Sequence, residues 1–233
     1  MIKLERTSVM NFENALRGMR NPMQSYDRAD SYWSCADECQ TRCAENCEPC
    51  QLNKTNMYII GPNDLDLAQR LVKAGSDDRK FLRQIFVSVD VTAPLYWWKE
   101  YDTYKVGTVA NSTSTMHKIH AKPFSRDDFS CERMSETALY CLDRVIDTLE
   151  LSRREYIASK DVQFWHDMIQ LLPTSYNQMR TCTLNYENLI NIYYARRYHK
   201  LPEWHDFCYW IEGLPYFREF CKGLEEKHAK KTD

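Results

Sequence analysis

Helical periodicity in the second half of the chain is the feature that most restricts its fold. Apolar side chains recur every three to four residues in the segment "SCERMSETALYCLDRVIDTLELSRREYIAS". Ala138, Leu142, Val145, Ile146 and Leu149 stand at helical spacing there, as expected of a helix that buries one face. Further helical segments read "DVQFWHDMIQLLP", "TLNYENLINIYYARRY" and "LPEWHDFCYWIEGLP". The second half is therefore predicted to consist mainly of helices.

The first half carries the strand patterns. "IKLERTSV" reads as a strand, and "NFENALRGM" as a short helix with Asn11 at its N-cap. A second helix follows "MYIIGP" with Asn63 or Asp64 as its cap, and "FLRQIFVSVDVTAP" alternates as a strand that Pro94 closes. These patterns predict an α+β fold, with a small, mostly antiparallel sheet packed against a helical C-terminal half. We expect a single domain over 1–233, with a disordered tail at 224–233.

The charge balance argues against two classes of partner. The net charge is −2, with 27% charged and 43% hydrophobic residues. Such a chain has no overall attraction to nucleic acid or to an anionic membrane, so phosphate recognition would depend on a few placed residues. No apolar run approaches the roughly 20 residues that a transmembrane helix needs, and the N-terminus lacks the apolar core of a secretory signal. We therefore predict a cytoplasmic protein with no membrane or nucleic-acid partner.

A cysteine-rich segment at 34–56 interrupts the strand and helix patterns. It contains Cys35, Cys39, Cys43, Cys47 and Cys50, and it reads as an insertion between two strands. Disulfides or free thiols, a structural zinc ion and an iron–sulfur cluster are all compatible with this spacing. The remaining cysteines are dispersed and are expected to be free thiols: Cys131, Cys141, Cys182, Cys208 and Cys221.

The late helical segment resembles the closing signature of the flavin-dependent thymidylate synthase family. In that family an Asn, a second Asn six residues later and an Arg five residues after that lie along one helix. In "TCTLNYENLINIYYARRYHKLPEWHDF" these positions fall on Asn185, Asn191 and Arg196. The resemblance implies that the two asparagines contact the flavin and that the arginine contacts the nucleotide.

The segment "APLYWWKEYDTYKVGTVANSTSTMHK" resembles the family's second signature less closely. That signature is rich in arginine and follows an Ala-Pro that ends a strand. Asn111 and Ser114 are identical to it, whereas Lys99 and Lys105 replace arginines. The departures are Ser112 for a glutamate, Met116 for the last arginine and, on the late helix, Glu187 for an arginine. Lysine keeps the charge but lacks the planar fork that grips a phosphate with two hydrogen bonds.

The resemblance extends from about Met57 to Glu212, roughly two thirds of the chain. It implies a thymidylate-synthase-complementing-protein-like fold and the reductive methylation of dUMP to dTMP. FAD would be the cofactor, NADPH and methylenetetrahydrofolate the co-substrates, and the assembly a homotetramer whose sites use several subunits. Residue by residue, it places Lys105, Ser114 and Arg196 on the nucleotide and Asn111, Asn185 and Asn191 on the flavin.

A rival hypothesis follows from the same departures. Replacing the orienting arginines would damage catalysis more than folding, because the family's enzymes work by positioning and polarising the pyrimidine. The chain would then be a catalytically silent or repurposed member of the fold that still binds a pyrimidine nucleotide. A metal-dependent role centred on the cysteine-rich segment is a third hypothesis.

Overall fold

The computed structural model describes residues 2–34 and 57–229. In chain order its strands and helices are β1 (Lys3–Met10), α1 (Phe12–Met19), β2 (Tyr32–Ser34), β3 (Met57–Ile59), α2 (Pro62–Ala74), β4 (Phe86–Pro94), α3 (Leu95–Tyr101), β5 (Val109–Ser112), α4 (Glu136–Ser159), α5 (Val162–Leu171), β6 (Asn177–Asn185), α6 (Tyr186–Arg196), α7 (Pro202–Glu212) and α8 (Phe217–Ala229). Two short sheets and a helical majority make this an α+β fold, as predicted. Most of the cysteine-rich segment, with Cys35, Cys39, Cys43, Cys47 and Cys50 and their predicted zinc or iron–sulfur role, lies outside the described residues.

The backbone divides into two compact units. The first contains residues 2–8, 87–184 and 192–210, and the second contains 9–34, 57–86, 185–191 and 211–229. The expectation of one domain over 1–233 stays a prediction. Helix α8 continues to Ala229, so the first part of the predicted tail at 224–233 is helical. Within the described residues, no helix is both long and apolar enough to cross a bilayer.

A four-stranded sheet in the order β1-β4-β6-β5 forms the centre of the first unit. The strands β5 and β6 are antiparallel, and Asn111 is opposite Thr181 in their register. The prediction that Thr183 to Asn185 belong to the following helix was wrong, because these residues form the end of β6. Those residues continue the alternation that begins at Asn177, and pairing with neighbouring strands decides their conformation.

Beside the sheet, α4 and α5 enclose an apolar cluster. Its buried members are Ile119, Phe124, Phe129, Leu142, Leu149 and Met168. Leu142 and Leu149 come from the predicted apolar face of α4, so the helical spacing of that segment is confirmed. The cysteines of the described residues are free thiols, as expected.

In the second unit, α2 packs against α8 and its N-terminus is capped from a distance. The Asp30 carboxylate accepts hydrogen bonds from the backbone N–H groups of Asn63 (2.8 Å) and Asp64 (3.0 Å). Gly61 precedes the helix, and a Cβ there would lie 2.3 Å from Asp30 Cγ, so this close approach requires glycine. The prediction of Asn63 or Asp64 as the cap was therefore wrong. A residue 33 positions before Asn63 supplies the acceptor.

The strands that flank the cysteine-rich segment pair with each other. Strand β2 ends at Ser34 and β3 begins at Met57, and the two are antiparallel with Ser34 opposite Met57. Helix α1 begins after Asn11, as predicted, but the Asn11 side chain forms no cap. Its amide instead donates to the Gln84 carbonyl oxygen at 2.9 Å.

Candidate functional site

A groove of about 450 Å³ in the first unit contains Ser114, one of the residues assigned to the nucleotide. Its polar lining comes from the loop after β5, from the segment before α4 and from the start of β6. The lining residues are Lys3, Thr92, Thr113, Ser114, Thr115, Lys118, Ala121, Lys122, Asp127, Asp128, Tyr176, Asn177 and Met179. The volume is in the range of pockets that bind small molecules.

The loop that carries Ser114 is held in place on both sides. The backbone N–H of Thr113 donates to the Met179 carbonyl oxygen at 2.9 Å, and the Gln178 side chain donates to the Thr113 carbonyl oxygen at 2.7 Å. On the other side, Trp165 Nε1 of α5 donates to the Met116 carbonyl oxygen at 2.9 Å. The loop is therefore fixed to the sheet and to a helix, as a binding loop needs to be.

The Ser114 hydroxyl stabilises its own turn and can still donate a hydrogen bond to a ligand. Its oxygen accepts a hydrogen bond from the backbone N–H of His117 at 2.8 Å, so it stabilises its own turn. A serine hydroxyl has one O–H donor besides its acceptor lone pairs. The O–H of Ser114 can therefore donate to an anion in the groove while the turn remains intact.

The groove is slightly basic, with three lysines and two aspartates in its lining. Lys122 forms an ion pair with Asp128, and this hydrogen bond raises the pKa of Lys122. Lys118 has no ion-pair partner among residues 2–34 and 57–229. Lys118 is therefore available to balance the charge of a bound anion, as is Lys3, which also lines the groove.

Arg196 lies in a different environment, at the end of α6. Its Nη1 donates to Glu100 Oε2 at 2.6 Å and its Nε donates to the Tyr104 hydroxyl at 2.8 Å. Its guanidinium carbon lies 4.9 Å from the centre of the Trp204 ring. The same Glu100 oxygen accepts from Trp204 Nε1 at 3.2 Å and lies 3.3 Å from His199 Nε2. Arg196 is therefore paired within its own chain.

The aromatic residues of α3 belong to the core. Trp97 and Trp98 are fully buried and Tyr101 is nearly so. The Trp97 ring is 4.7 Å from that of Trp204 and 5.4 Å from that of Phe207. These side chains fix α3 against α7 and so position Glu100 opposite Arg196.

Lys105 and Asn111 are exposed on the segment between α3 and β6. Lys105 lies in the loop after α3, and Asn111 lies on β5 at the edge of the sheet. Lys105, Asn111 and Arg196 are not among the described residues that line the groove at Ser114. Within one chain, the structure therefore does not bring the predicted nucleotide contacts Lys105, Ser114 and Arg196 into one cavity. Their assignment to ligands stays a prediction.

Asn185 ends β6 and caps α6, in the second unit. Its side-chain oxygen accepts from the backbone N–H of Asn188 at 3.0 Å, and the Asn188 side-chain oxygen accepts from the Asn185 N–H at 3.2 Å. This is a reciprocal capping arrangement. The Asn185 side chain is nearly buried. Its capping role explains why an asparagine stands immediately before α6.

Asn185→Ala is expected to lower the free energy of unfolding by about 1 kcal/mol, the usual cost of losing an N-cap. Asn185→Asp is the matched control, because aspartate caps a helix as well as asparagine does. Urea unfolding followed by circular dichroism measures both. Equal stability of the alanine variant and the wild type would contradict the capping role.

Asn191 and Glu187 share a partner in Arg79. Arg79 donates to Glu187 from Nε and Nη2 at 3.1 and 3.0 Å, and its Nη2 donates to the Asn191 side-chain oxygen at 3.3 Å. Glu187, which replaces a family arginine, therefore forms a nearly buried ion pair. Asn191 is exposed and its amide N–H donors are available to a cofactor, whereas the Asn185 oxygen is committed to the helix cap.

Several groups around the groove were not predicted from the sequence. Lys118, Lys122 and Asp128 follow the "NSTST" stretch at short spacing, and a basic pair after a hydroxyl-rich loop is a usable signal for an anion site. No comparable local signal pointed to Glu100 as the partner of Arg196. The two residues are 96 positions apart.

Comparisons with known proteins identify the fold. No protein-family model matches the sequence, and no curated protein matches it. Two crystal structures of thymidylate synthase X from Helicobacter pylori, each with FAD and dUMP, are similar to the structure. One has a TM-score of 0.62 at 14% identity and covers 94% of this chain and 96% of its own. The other has a TM-score of 0.60 at 14% identity, covering 94% and 97%. The chain therefore has the α+β fold of these thymidylate synthase X structures.

Proposed function

We propose that the protein binds FAD and dUMP and catalyses the reductive methylation of dUMP to dTMP, with methylenetetrahydrofolate and NADPH as co-substrates. The observation that carries this proposal is the groove at Ser114, a basic cavity on a fold shared with an enzyme crystallised with FAD and dUMP. Its volume suits a nucleotide, and its hydroxyl and lysine groups suit a phosphate.

The proposed nucleotide contacts begin with Ser114 and Lys118. The Ser114 O–H donates to a phosphate oxygen, and the Lys118 ammonium balances its charge. Lys122 keeps its ion pair with Asp128 at the groove wall. The chain's own contribution is thus to orient the nucleotide and to neutralise its phosphate.

The flavin contacts are proposed for Asn191 and Asn111, because both side chains are exposed. The Asn185 side-chain oxygen fits this role less well, because it already caps α6. When bound, FAD supplies the hydride that reduces the methylene group donated by folate. The protein positions that cofactor and needs no nucleophile of its own for the transfer.

A homotetramer is part of the proposal. Strand β5 is an edge strand with all four residues exposed. Its first residue, Val109, is 70% exposed, and Val106 in the preceding loop is 88% exposed. Exposed strand edges and apolar side chains of this kind are commonly covered by a partner. In such an assembly, Lys105 and Asn111 of one subunit would approach the groove of another. Light scattering of the purified protein measures the oligomeric state.

Ser114→Ala and Lys118→Gln are each expected to weaken dUMP binding about tenfold, since each removes a phosphate contact worth about 1.4 kcal/mol. Isothermal titration with dUMP and with deoxyuridine, which lacks the phosphate, isolates that contribution. Lys99→Gln is the control, because Lys99 is exposed on α3 and does not line the groove. Identical affinities for dUMP and deoxyuridine in the wild type would contradict a phosphate site.

The synthase activity has its own test. The purified protein is incubated with FAD, dUMP, NADPH and methylenetetrahydrofolate, and the nucleotides are separated by chromatography. We expect dTMP to form, and we expect the visible flavin absorption bands to respond when dUMP is added.

A second function is favoured by the pairing of Arg196 with Glu100. An arginine already held by a carboxylate cannot give its full charge to a nucleotide, and Lys105 is exposed outside the groove. The alternative is a catalytically silent or repurposed member that binds a pyrimidine nucleotide. Binding of dUMP without formation of dTMP, and without a flavin response, would favour it over the synthase.

A further inference from the structure

Gln178 connects the loop of Ser114 to the interior of the first unit. Its side-chain Nε2 donates to the carbonyl oxygen of Thr113, the residue before Ser114, at 2.7 Å. Gln178 is 7% exposed, and it is not among the described residues that line the groove. Gln178 therefore acts on a ligand in the groove through the loop and not by contact.

The orientation of the Gln178 amide decides whether this contact forms. A glutamine amide has a donor nitrogen on one side and an acceptor oxygen on the other, so a half-turn about its last bond exchanges the two. After such a rotation the Gln178 oxygen would face the Thr113 carbonyl oxygen, and two acceptors form no hydrogen bond. Gln178 therefore holds the loop in only one of the two orientations of its amide.

Arg180 fixes that orientation. Gln178 and Arg180 are two positions apart on β6, so their side chains lie on the same face of the sheet. Arg180 Nε donates to Gln178 Oε1 at 3.1 Å. An arginine side chain has donors and no acceptor, so it pairs with the amide oxygen and leaves Nε2 for Thr113.

Trp98 of α3 contacts both members of this pair. Its indole N–H donates to the Gln178 backbone carbonyl oxygen at 2.9 Å. The Arg180 guanidinium carbon lies 4.2 Å from the centre of the Trp98 ring, within the range of a cation–π interaction. Trp98 is fully buried, so its ring is a fixed support for the guanidinium. Asp102 also pairs with Arg180, at 2.8 Å, but Asp102 is half exposed and adds little to this support.

We propose that Gln178 is a positioning residue for the bound phosphate, and that Arg180 and Trp98 hold its amide in the one orientation that fixes the Ser114 loop. This inference rests on the proposed nucleotide site and extends it to three residues that do not line the groove. The Ser114 O–H reaches a phosphate oxygen only where the loop places it, because a hydrogen bond weakens steeply with distance and angle.

Two variants remove successive contacts of this arrangement. Gln178→Met keeps the length of the side chain and removes its hydrogen bond to Thr113, whereas Arg180→Met removes the group that orients the amide. Hydrogen exchange of the peptide from Thr113 to His117, followed by mass spectrometry, measures how firmly the loop is held. Exchange is expected to rise about fivefold in Gln178→Met, the equivalent of one hydrogen bond, and about twofold in Arg180→Met, whose amide still donates for part of the time.

The double variant tests whether Arg180 acts through Gln178. Adding Arg180→Met to Gln178→Met is expected to leave loop exchange as it is in Gln178→Met alone, because the amide that Arg180 orients is then absent. Thr181→Val is the matched control, since it removes a hydrogen bond to Asp90 from the adjacent position of β6 and is expected to leave the loop unchanged. Additive effects of the two methionine substitutions would overturn the proposal.

Ligand affinity distinguishes positioning from a general loss of stability. Gln178→Met is expected to weaken dUMP binding about fivefold, and Arg180→Met about twofold, because each loosens the loop that holds the phosphate. The affinity for deoxyuridine, which lacks the phosphate, is expected to stay at the wild-type value in both variants. Isothermal titration measures both ligands. Faster loop exchange with unchanged dUMP affinity would overturn the proposal, and so would loop exchange that rises in neither variant.

Failure of the proposed function would be recognised separately. A wild type that does not bind dUMP would contradict the nucleotide site, whereas loop exchange in the variants would still decide whether Gln178 and Arg180 hold the loop. Circular dichroism checks the folding of each variant. Where Gln178→Met does not fold, Arg180→Met decides alone, because unchanged loop exchange in that variant would show that the amide needs no orienting partner.

Discussion

The Asp64→Ala variant is expected to lose about 3–5 kcal/mol of unfolding free energy, because it leaves a buried arginine without its counter-ion. Arg20 Nε donates to Asp64 Oδ1 at 2.6 Å, and both side chains are only 3% exposed. The other carboxylate oxygen accepts from the backbone N–H groups of Asp30 and Ser31 at 3.1 and 2.9 Å and from the Ser31 hydroxyl. One carboxylate thus connects α2 to two earlier segments of the second unit.

Urea unfolding measures this effect, and Asp66→Ala is the matched control. Asp66 lies on the same helix and pairs with Arg70 at 2.9 Å, but both side chains are about two thirds exposed. Exposed pairs of this kind contribute roughly 0–1 kcal/mol. A loss as small for Asp64→Ala as for Asp66→Ala would show that the buried pair does not stabilise the second unit.

The dependence on pH provides a further check on Asp64. Burial acts to raise the pKa of Asp64, but hydrogen bonds from Ser31 and Arg20 outweigh it and hold the pKa below its ordinary value of 3.8. A carboxyl group with a lowered folded-state pKa stabilises the fold fully above its unfolded pKa, and this contribution is lost as the pH falls through the folded value. The stability difference between wild type and Asp64→Ala is therefore expected to shrink on acidification below about pH 4.

Glu100→Gln is expected to have the second largest effect, with two measurable consequences. Removing the carboxylate leaves the half-buried Arg196 without its counter-ion, which is expected to cost about 2 kcal/mol of unfolding free energy. It also releases the guanidinium for a phosphate. Under the proposed function, dUMP is therefore expected to bind about tenfold more tightly to Glu100→Gln than to the wild type.

Two further variants isolate the role of Arg196. Asp102→Asn removes the same charge nearby, but Asp102 pairs with Arg180 at 2.8 Å and is half exposed, so we expect little change in dUMP affinity. The double variant Glu100→Gln, Arg196→Gln is expected to lose the gain in affinity. If Glu100→Gln binds dUMP no better than the wild type, Arg196 has a structural role only, and the nucleotide assignment of Arg196 is wrong.

The arrangement around Glu100 also separates the two functional hypotheses. In the synthase proposal, an assembled enzyme must free Arg196 from Glu100 before the arginine can contact dUMP. In the rival proposal, the ion pair is permanent and the nucleotide is held by Ser114 and Lys118 alone. Measuring dUMP affinity and dTMP formation in the same Glu100→Gln preparation distinguishes the two.

Local patterns in the sequence were sufficient to predict most of the helices, although α3 and α8 were not among those predicted. The apolar spacing of Leu142 and Leu149 predicted α4, because side chains one or two turns apart on a helix share a face whatever the rest of the chain does. The alternation of Val87 and Val89 predicted β4, because every second side chain of a strand lies on the same face of the sheet. The α+β class followed from these elements, and the structure confirms it.

Features that depend on distant partners were not predictable in this way. The residues from Thr183 to Asn185 belong to a strand because neighbouring strands pair with them. Their residue types are equally compatible with a helix. Asp30, which lies 33 positions before Asn63, caps α2. The sequence pattern within α2 therefore could not predict this cap. The pairing of Glu187 with Arg79, 108 positions away, is a further case.

The sequence by itself determined the α+β class and most of the helices, and the family resemblance made Ser114 and Arg196 candidates for nucleotide binding. Only the tertiary structure decided that Ser114 lines a groove with Lys118 while Arg196 is held by Glu100. The physical reason is that periodicity acts over a few residues along the chain. The interactions of a charged side chain, in contrast, depend on which groups the fold brings within a few ångströms of it.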